Sequence, residues 1–301
     1  MVRRLVLLLL ALVAPAAAAA VPAVVGPDWV AANRGEPEVV VLDLQPDRYF
    51  RRAHIPGAVN ADYKRWRVEG PDGTANMLPP KEKLGDLIRS LGIAEGDHVV
   101  VAPLGRGAGD LAMAARVFWT LKVAGLERVS VLEGGLMAYA RGKRKRQLES
   151  GRARRPEASG FEVALQEDLI ADKAATRQAI DGAAVLVDNR SRAEYLGLWR
   201  GGRDERPGTV PGAQNLPYDW LTRNGSGRFL DREAAKQVFS LAGVGTDGPQ
   251  VYFCHSGHRA SLAWFVAHAL LGNDQARLYD GSMGQWARDD ALPMARKVNL
   301  D

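Results

Sequence analysis

The chain states one pattern twice. Val41-Leu42-Asp43 with Tyr49, followed by His54-Ile55-Pro56-Gly57-Ala58-Val59-Asn60, returns as Leu186-Val187-Asp188 with Tyr195, followed by Val210-Pro211-Gly212-Ala213 and Asn215. Val131-Leu132-Glu133-Gly134-Gly135 returns as Leu278 to Ser282. A duplication of this size means two homologous domains, since the repeats of a solenoid are far shorter. The 301 residues suit two domains of ordinary size, and a hydrophobic content of 47% is ample for two cores. In the second copy, segments at about 184–187, 251–253 and 276–279 read as strands, and segments at about 166–180, 231–242 and 259–271 as helices. Alternation of this kind predicts an α/β fold, each domain a parallel sheet flanked by helices. Ligands then bind at the carboxyl ends of strands.

The ends of the chain and its charge set the expected boundaries. Arg3-Arg4, the apolar run Leu5 to Val13 and Ala16 to Ala20 read as a secretory signal peptide over 1–20, too short for a good spanning helix. An uncleaved anchor is the competing reading. Residues 21–140 form the first domain, 141–160 a basic linker and 161–301 the second domain. The linker carries Arg141-Gly142-Lys143-Arg144-Lys145-Arg146 without apolar periodicity and reads as solvated. Loss of Arg3 and Arg4 lowers the formal charge from +5 to +3, a mild excess that does not imply nucleic acid. No other long apolar run exists, so no stable membrane insertion of the mature chain is expected. The expected location is secreted and periplasmic.

Cys254 is the single cysteine. Val251-Tyr252-Phe253 runs into it, and a helical pattern through Ala260, Ala263, Trp264, Ala267 and Leu271 follows. It therefore opens a strand-to-helix loop, where backbone N–H groups and the positive end of a helix favour a thiolate. A lone cysteine can equally be a small buried hydrophobe. However, a chain in an oxidising compartment with one cysteine cannot use an internal disulfide, and an unused thiol there is a liability.

The loop resembles that of the rhodanese sulfurtransferases. Cys254-His255-Ser256-Gly257-His258-Arg259 fits the family's Cys-x-x-Gly-x-Arg form. Asp188-Asn189-Arg190 with Glu194-Tyr195 is similar to its Asp-x-Arg and Glu-Tyr segment. Val210-Pro211-Gly212-Ala213 with Asn215 and Pro217, and Tyr279-Asp280-Gly281-Ser282 with Trp286, are similar to two further segments. The resemblance spans about residues 26–295. It implies a silent first domain, whose loop Ala102 to Asp110 holds no thiol, and an active second one. It implies sulfur transfer through a Cys254 persulfide, with a small anionic donor such as thiosulfate and an acceptor such as cyanide, a thiol or a protein. Arg259 is read as a cation near the thiolate or as a brace of the loop, and Arg190 as the donor-anion residue. Asp188 is read as a support for the backbone or for Arg259. His255, Ser256, Gly257 and His258 are candidate substrate contacts, with exposure as the other reading of the histidines. Gly257 lets the backbone curl inward. His255 and His258 with Cys254 lack a fourth ligand, so no metal is expected, and no cofactor.

Several alternatives remain at the level of sequence. Phosphatases and arsenate reductases related to rhodanese use a Cys-x5-Arg loop. Here four residues separate Cys254 from Arg259, a cradle suited to one sulfur atom but tight for phosphate. A persulfide carrier serving one protein acceptor is a second alternative. The donor 3-mercaptopyruvate is a third, since its sulfurtransferases carry a serine where Ser256 stands and His54 could face it. Their loop continues Gly-Val-Thr rather than Gly257-His258-Arg259. The stretch Gly105 to Gly109 lacks the full spacing of a dinucleotide loop. An insert at 197–208, with Arg203, Asp204, Glu205 and Arg206, reads as a solvated loop or as a shaper of the entrance.

Overall fold

The computed structural model describes residues 21–141, 147–152, 156–298 and 300, and these form two domains of identical topology. In the first, β1 is Val24–Val25, β2 Val39–Asp43, β3 Val59–Asn60, β4 His98–Ala102 and β5 Val129–Leu132, in the spatial order β1-β5-β4-β2-β3. In the second, β6 is Ile170–Ala171, β7 Val185–Asp188, β8 Gln214–Asn215, β9 Gln250–Phe253 and β10 Ala276–Tyr279, in the order β6-β10-β9-β7-β8. Every pairing is parallel. The central strands are buried end to end and mostly apolar, as helices on both faces require, with His98, Ser130 and Gln250 as buried polar members.

The strands expected at 184–187, 251–253 and 276–279 are β7, β9 and β10 within a residue. The helix expected at 231–242 is Arg232–Leu241, whose first turn is capped by the Asp231 carboxylate accepting from the Ala234 N–H at 2.9 Å. The helix expected at 259–271 is His258–Phe265, continued by a wider turn over Val266–Leu271 that ends at Gly272. The helix expected at 166–180 is not continuous. Ile170–Ala171 leaves it to pair with β10, and helix begins only at Lys173, where the Asp172 carboxylate accepts from the Ala175 N–H at 2.7 Å. Two residues of strand carry no periodicity, so the sequence pattern could not show the break.

The helix Ala108–Val123, which follows β4, packs against His258–Phe265, which follows β9. Phe118 meets Phe265 edge to face with ring centroids 4.7 Å apart, and Phe229 stacks on Phe265 at 4.8 Å. One apolar cluster therefore runs through both domains, with a smaller cluster on the outer side of each. Truncating Phe118 to alanine at this seam would cost about 3–5 kcal/mol.

The described parts of the linker are largely exposed, as expected of a solvated segment, but are tied to the first domain by backbone contacts. Glu149 forms an antiparallel bridge with His54, and its Oε2 accepts from the Gly57 N–H at 3.1 Å. Burial resumes only past the linker, where Phe161 and Val163 enter the shared core and the Gln166 N–H reaches the Val123 carbonyl at 2.8 Å. The basic residues 142–146 and 153–155 and the segment 1–20 lie outside the described residues. Among the described residues no helix is long and apolar enough to cross a membrane.

Candidate active site

Cys254 follows β9 directly and is 1% exposed. Its loop is short because Gly257, at φ +68°, turns the chain into the His258–Phe265 helix. A Cβ at Gly257 would overlap the Arg116 guanidinium and crowd the Asp280 carbonyl, so only glycine fits. The loop is clamped from β10. The Ser282 hydroxyl accepts from the N–H groups of Cys254 and Gly257, each at 3.1 Å, and donates to the Tyr279 carbonyl at 2.8 Å. The Met283 and Gly284 N–H groups bond the carbonyls of Cys254 and His255 at 3.0 and 2.7 Å. Ser282 does this from φ +49°, a strained conformation for a residue with a Cβ. The Gly257 N–H, expected to meet substrate, is thus given to Ser282.

Arg259 forms a two-pronged pair with Glu194. Its Nη1 and Nη2 donate to Oε2 and Oε1 at 2.7 and 2.8 Å. Burial works against both charges. The pair overcomes it, holding the Glu194 carboxyl down at about 2 and the Arg259 guanidinium above its ordinary value, to which the nearby Cys254 charge adds. Glu194 is fixed in turn by a capping box with Ser191. Both readings of Arg259 therefore meet in one residue, which braces the loop and places a cation near the sulfur.

Asp188 does not hold Arg259. Its carboxylate accepts from the Arg190 N–H at 3.0 Å, from Arg190 Nη2 at 2.6 Å and from the Thr209 hydroxyl at 2.8 Å. Arg190 is buried, and its Nη2 also donates to the Gly208 carbonyl at 2.7 Å. The residue expected to bind the donor is therefore engaged through Nε and Nη2 by Asp188 and the Gly208 carbonyl. Two residues apart at the end of one strand, Asp188 and Arg190 satisfy each other before any ligand arrives.

The first domain supplies the facing wall. The Tyr63 hydroxyl lies 2.7 Å from His258 Nδ1, the Leu78 N–H donates to Asp280 Oδ2 at 2.5 Å, and Gln285 Nε2 donates to Asp72 at 2.7 Å. Arg116, fully buried on the Ala108–Val123 helix, forms an ion pair with Asp280 beneath the active loop. Arg67 stacks on the Tyr63 ring with its guanidinium carbon 4.2 Å from the centroid. Burial pushes the hydroxyls of Tyr63 and, in the second domain, Tyr218 above their ordinary values and lowers the Arg67 guanidinium.

The histidines part company. Burial, followed by Arg67, Arg116 and Arg259, depresses His258 to about 3. It is neutral at working pH and engaged by Tyr63, so it is no cation for the thiolate or for an anion. His255 is turned to the insert, with Nδ1 3.4 Å from Glu205 Oε2. The insert is not a free loop. Arg206 ties it down by donating to the carbonyls of Ala287 and Leu292 at 3.1 and 2.9 Å, and Gly201 packs on the His255 ring. Ser256 stays half-buried in the loop, and His54 Nε2 lies 3.7 Å from Glu149 Oε2. His54 Nδ1 lies 2.8 Å from the Phe50 carbonyl, and its ring stacks on Phe50. Among the described residues no group of three or more His, Cys, Asp or Glu side chains could hold a metal ion.

Sequence reasoning missed Tyr63, Arg67, Arg116 and Tyr218. The first three lie in the other domain, with Tyr63 195 positions from its partner His258, so no local spacing could announce them. Glu194 and Ser282 stood inside the quoted motifs, but without their roles.

A duplicated five-stranded parallel α/β unit with one thiol at the mouth of its second copy defines a tandem domain protein of the rhodanese type. The model of the rhodanese-like domain matches residues 26–141 and 171–289, and the chain belongs to that family. It is 30% identical over 282 residues to the 3-mercaptopyruvate sulfurtransferase of Escherichia coli (strain K12), covering 90% of this chain and 96% of that protein. Among solved structures, SseA from Escherichia coli, described under the rhodanese fold of 3-mercaptopyruvate sulfotransferases, aligns with a TM-score of 0.75 at 28% identity over 87% of this chain and 99% of that one. Tum1 of Saccharomyces cerevisiae shares the fold with a TM-score of 0.74 at 21% identity over 88% of this chain and 94% of that one.

Proposed function

We propose that the protein moves a sulfane sulfur from thiosulfate to cyanide or a thiol through a persulfide on Cys254. The observation that carries this reading is the loop itself. The single thiol sits at the end of a central strand, at a helix amino terminus, clamped by Ser282 and flanked by the Arg259–Glu194 pair. Membership of the rhodanese family supports sulfur transfer as the reaction class. The thiolate attacks the outer sulfur of thiosulfate. A new S–S bond forms, the S–S bond of the donor breaks, and its electron pair leaves with sulfite. Cyanide or a thiolate then attacks the outer sulfur of the persulfide, and the Cys254 thiolate departs. The two half-reactions predict ping-pong kinetics. Loop N–H groups and the helix terminus are placed to stabilise thiolate and persulfide alike. The wall from the first domain keeps bulk water from the sulfur.

The identity to a 3-mercaptopyruvate sulfurtransferase supports a second donor reading. Against it stand the loop, which continues Gly257-His258-Arg259, and His54, whose ring nitrogens are taken up by the Phe50 carbonyl and Glu149. Steady-state kinetics with both donors and cyanide decide between them. A higher kcat/KM with thiosulfate, and parallel double-reciprocal lines, are the expected result. A decisive preference for 3-mercaptopyruvate would transfer the assignment to that donor, and absence of turnover with either would remove it. We place the mature chain outside the cytoplasm from Arg3-Arg4, Leu5 to Val13 and Ala16 to Ala20 alone. A periplasmic protein lacking residues 1–20 by mass would bear this out, and an intact cytoplasmic one would overturn it.

A further inference from the structure

A donor such as thiosulfate brings negative charge to a thiolate, so the site needs a cation that is not already neutralised. Four arginines gather near the loop, and three of them have their own carboxylate. Arg259 is paired with Glu194, Arg190 with Asp188 and Arg116 with Asp280. Arg67 is the exception. Among the described residues no carboxylate lies within ion-pair distance of it, and its Nε is buried with no hydrogen-bond partner. Its flat face is used by Tyr63 at 4.2 Å. Stacking leaves the edges of a guanidinium, where the N–H groups are, available to a ligand. Tyr63 in turn is anchored to His258 at the start of the helix that follows Cys254, which fixes Arg67 relative to the active loop. Burial lowers the Arg67 guanidinium from its ordinary value, with Tyr63, Asp280 and Cys254 acting in favour of its charge. Of these four arginines, the one without a carboxylate inside ion-pair distance among the described residues belongs to the domain that has no thiol.

We infer that Arg67, contributed by the silent first domain, receives the anionic end of the sulfur donor while Cys254 attacks its outer sulfur. This rests on the persulfide reading and names the residue that gives it donor selectivity. The thiol-free copy then supplies half of the binding site rather than only a wall. The role expected of Arg190 passes to a residue on the opposite side of the cleft, which the motif did not contain.

The test compares wild type, Arg67→Ala and Arg67→Lys in two separate half-reactions. Loading is followed by intact mass against thiosulfate concentration, and discharge by release of the loaded sulfur to dithiothreitol, a neutral molecule. Removal of one charge-assisted contact predicts that Arg67→Ala needs at least ~10-fold more thiosulfate for half-maximal loading. Its discharge rate should match wild type, and Arg67→Lys should recover part of the loss. Rising salt should weaken loading of wild type more than of Arg67→Ala. Unchanged loading in Arg67→Ala overturns the inference while the persulfide reading stands. An equal fall in loading, discharge and thermal stability also overturns it, since that pattern marks a structural residue. No loading of wild type at all overturns the persulfide reading and this inference with it.

Discussion

The two domains can be compared atom by atom, because their strands pair in the same register. Asp43 aligns with Ala102 in the first sheet as Asp188 aligns with Phe253 in the second, which makes Pro103 the counterpart of Cys254. The hydrogen bonds agree. Leu136 and Met137 N–H groups bond the Pro103 and Leu104 carbonyls, as Met283 and Gly284 bond those of Cys254 and His255. Leu132 and Tyr279 stand at matching places opposite Val25 and Ala171, so Gly135 corresponds to Ser282. Both adopt the left-handed conformation, at φ +58° and +49°. The turn is thus a property of the fold, and glycine makes it without strain. In the second domain a serine accepts that strain, and its hydroxyl gathers the two loop N–H groups. A Cβ at Gly135 would overlap the Pro103 carbonyl, so the silent loop has closed over the space that the serine needs.

The same comparison holds one strand away. Asp43 accepts from the Gln45 N–H at 2.8 Å and from its side-chain amide at 3.0 Å, where Asp188 accepts from the Arg190 N–H and guanidinium. The geometry is shared, but the charge is not. With a neutral partner, burial pushes Asp43 up to about 6. One topology therefore tolerates both an inert and a reactive copy. What separates them is a thiol, a serine, an arginine–glutamate pair and a guanidinium.

The largest expected effect is at the thiol. Cys254→Ser abolishes sulfur transfer and leaves the thermal transition near wild type. Adding Pro103→Cys to that variant restores nothing, because the silent loop lacks the serine clamp and its own two-pronged pair, Arg106 with Asp110, spans one helical turn instead of reaching a second element as Arg259 reaches Glu194. Activity in the double variant would show that the loop, rather than its supports, makes the site. Next is Glu194→Gln, which leaves a largely buried guanidinium without its counter-ion and should cost about 3 kcal/mol along with most of kcat/KM. Because Glu194 is held at about 2 when folded, its contribution is present above the ordinary carboxylate value and lost as pH falls through about 2. Urea unfolding at pH 3 and 6 should show a larger gap for wild type than for Glu194→Gln, and equal gaps would count against the pairing.

Ser282→Ala strands two buried N–H groups and should cost about 2–3 kcal/mol, with slowed persulfide loading. Ser282→Gly relieves the backbone strain but strands the same groups, so it too should load slowly. Normal loading in both variants would dismiss the clamp. The smallest effect is at Asp43, and its sign is opposite to that of Glu194. Its raised value stabilises the fold fully below about 3.8, and that contribution is lost as pH rises through about 6. Asp43→Asn, whose new amide the Gln45 side chain can turn to accept, should remove about 1–2 kcal/mol of the difference in stability between pH 4.5 and 6.5. An unchanged difference would place the source elsewhere.

Much of this was legible in the chain. The duplication gave the two domains, and apolar runs bounded by turn residues gave β7, β9 and β10. The spacing from Cys254 to Arg259 marked the reactive loop. What could not be read were partners chosen in three dimensions. Arg190 could bind an anion or its neighbour Asp188, and only the fold shows that the neighbour has it. His258 could be a cation or a buried base, and the choice was made by Tyr63 from the other domain. Arg67 belongs to no motif of the loop, and its place at the cleft comes from the packing of Ala108–Val123 on His258–Phe265, which brings the domains together.

The central claim is that Cys254 carries the transferred sulfur. Intact mass of the reduced, folded protein after incubation with thiosulfate, beside Cys254→Ser, tests it most directly. A gain of one sulfur atom on wild type, reversed by cyanide and absent from the variant, is the predicted result. The same gain on the variant, or none on wild type, would contradict it.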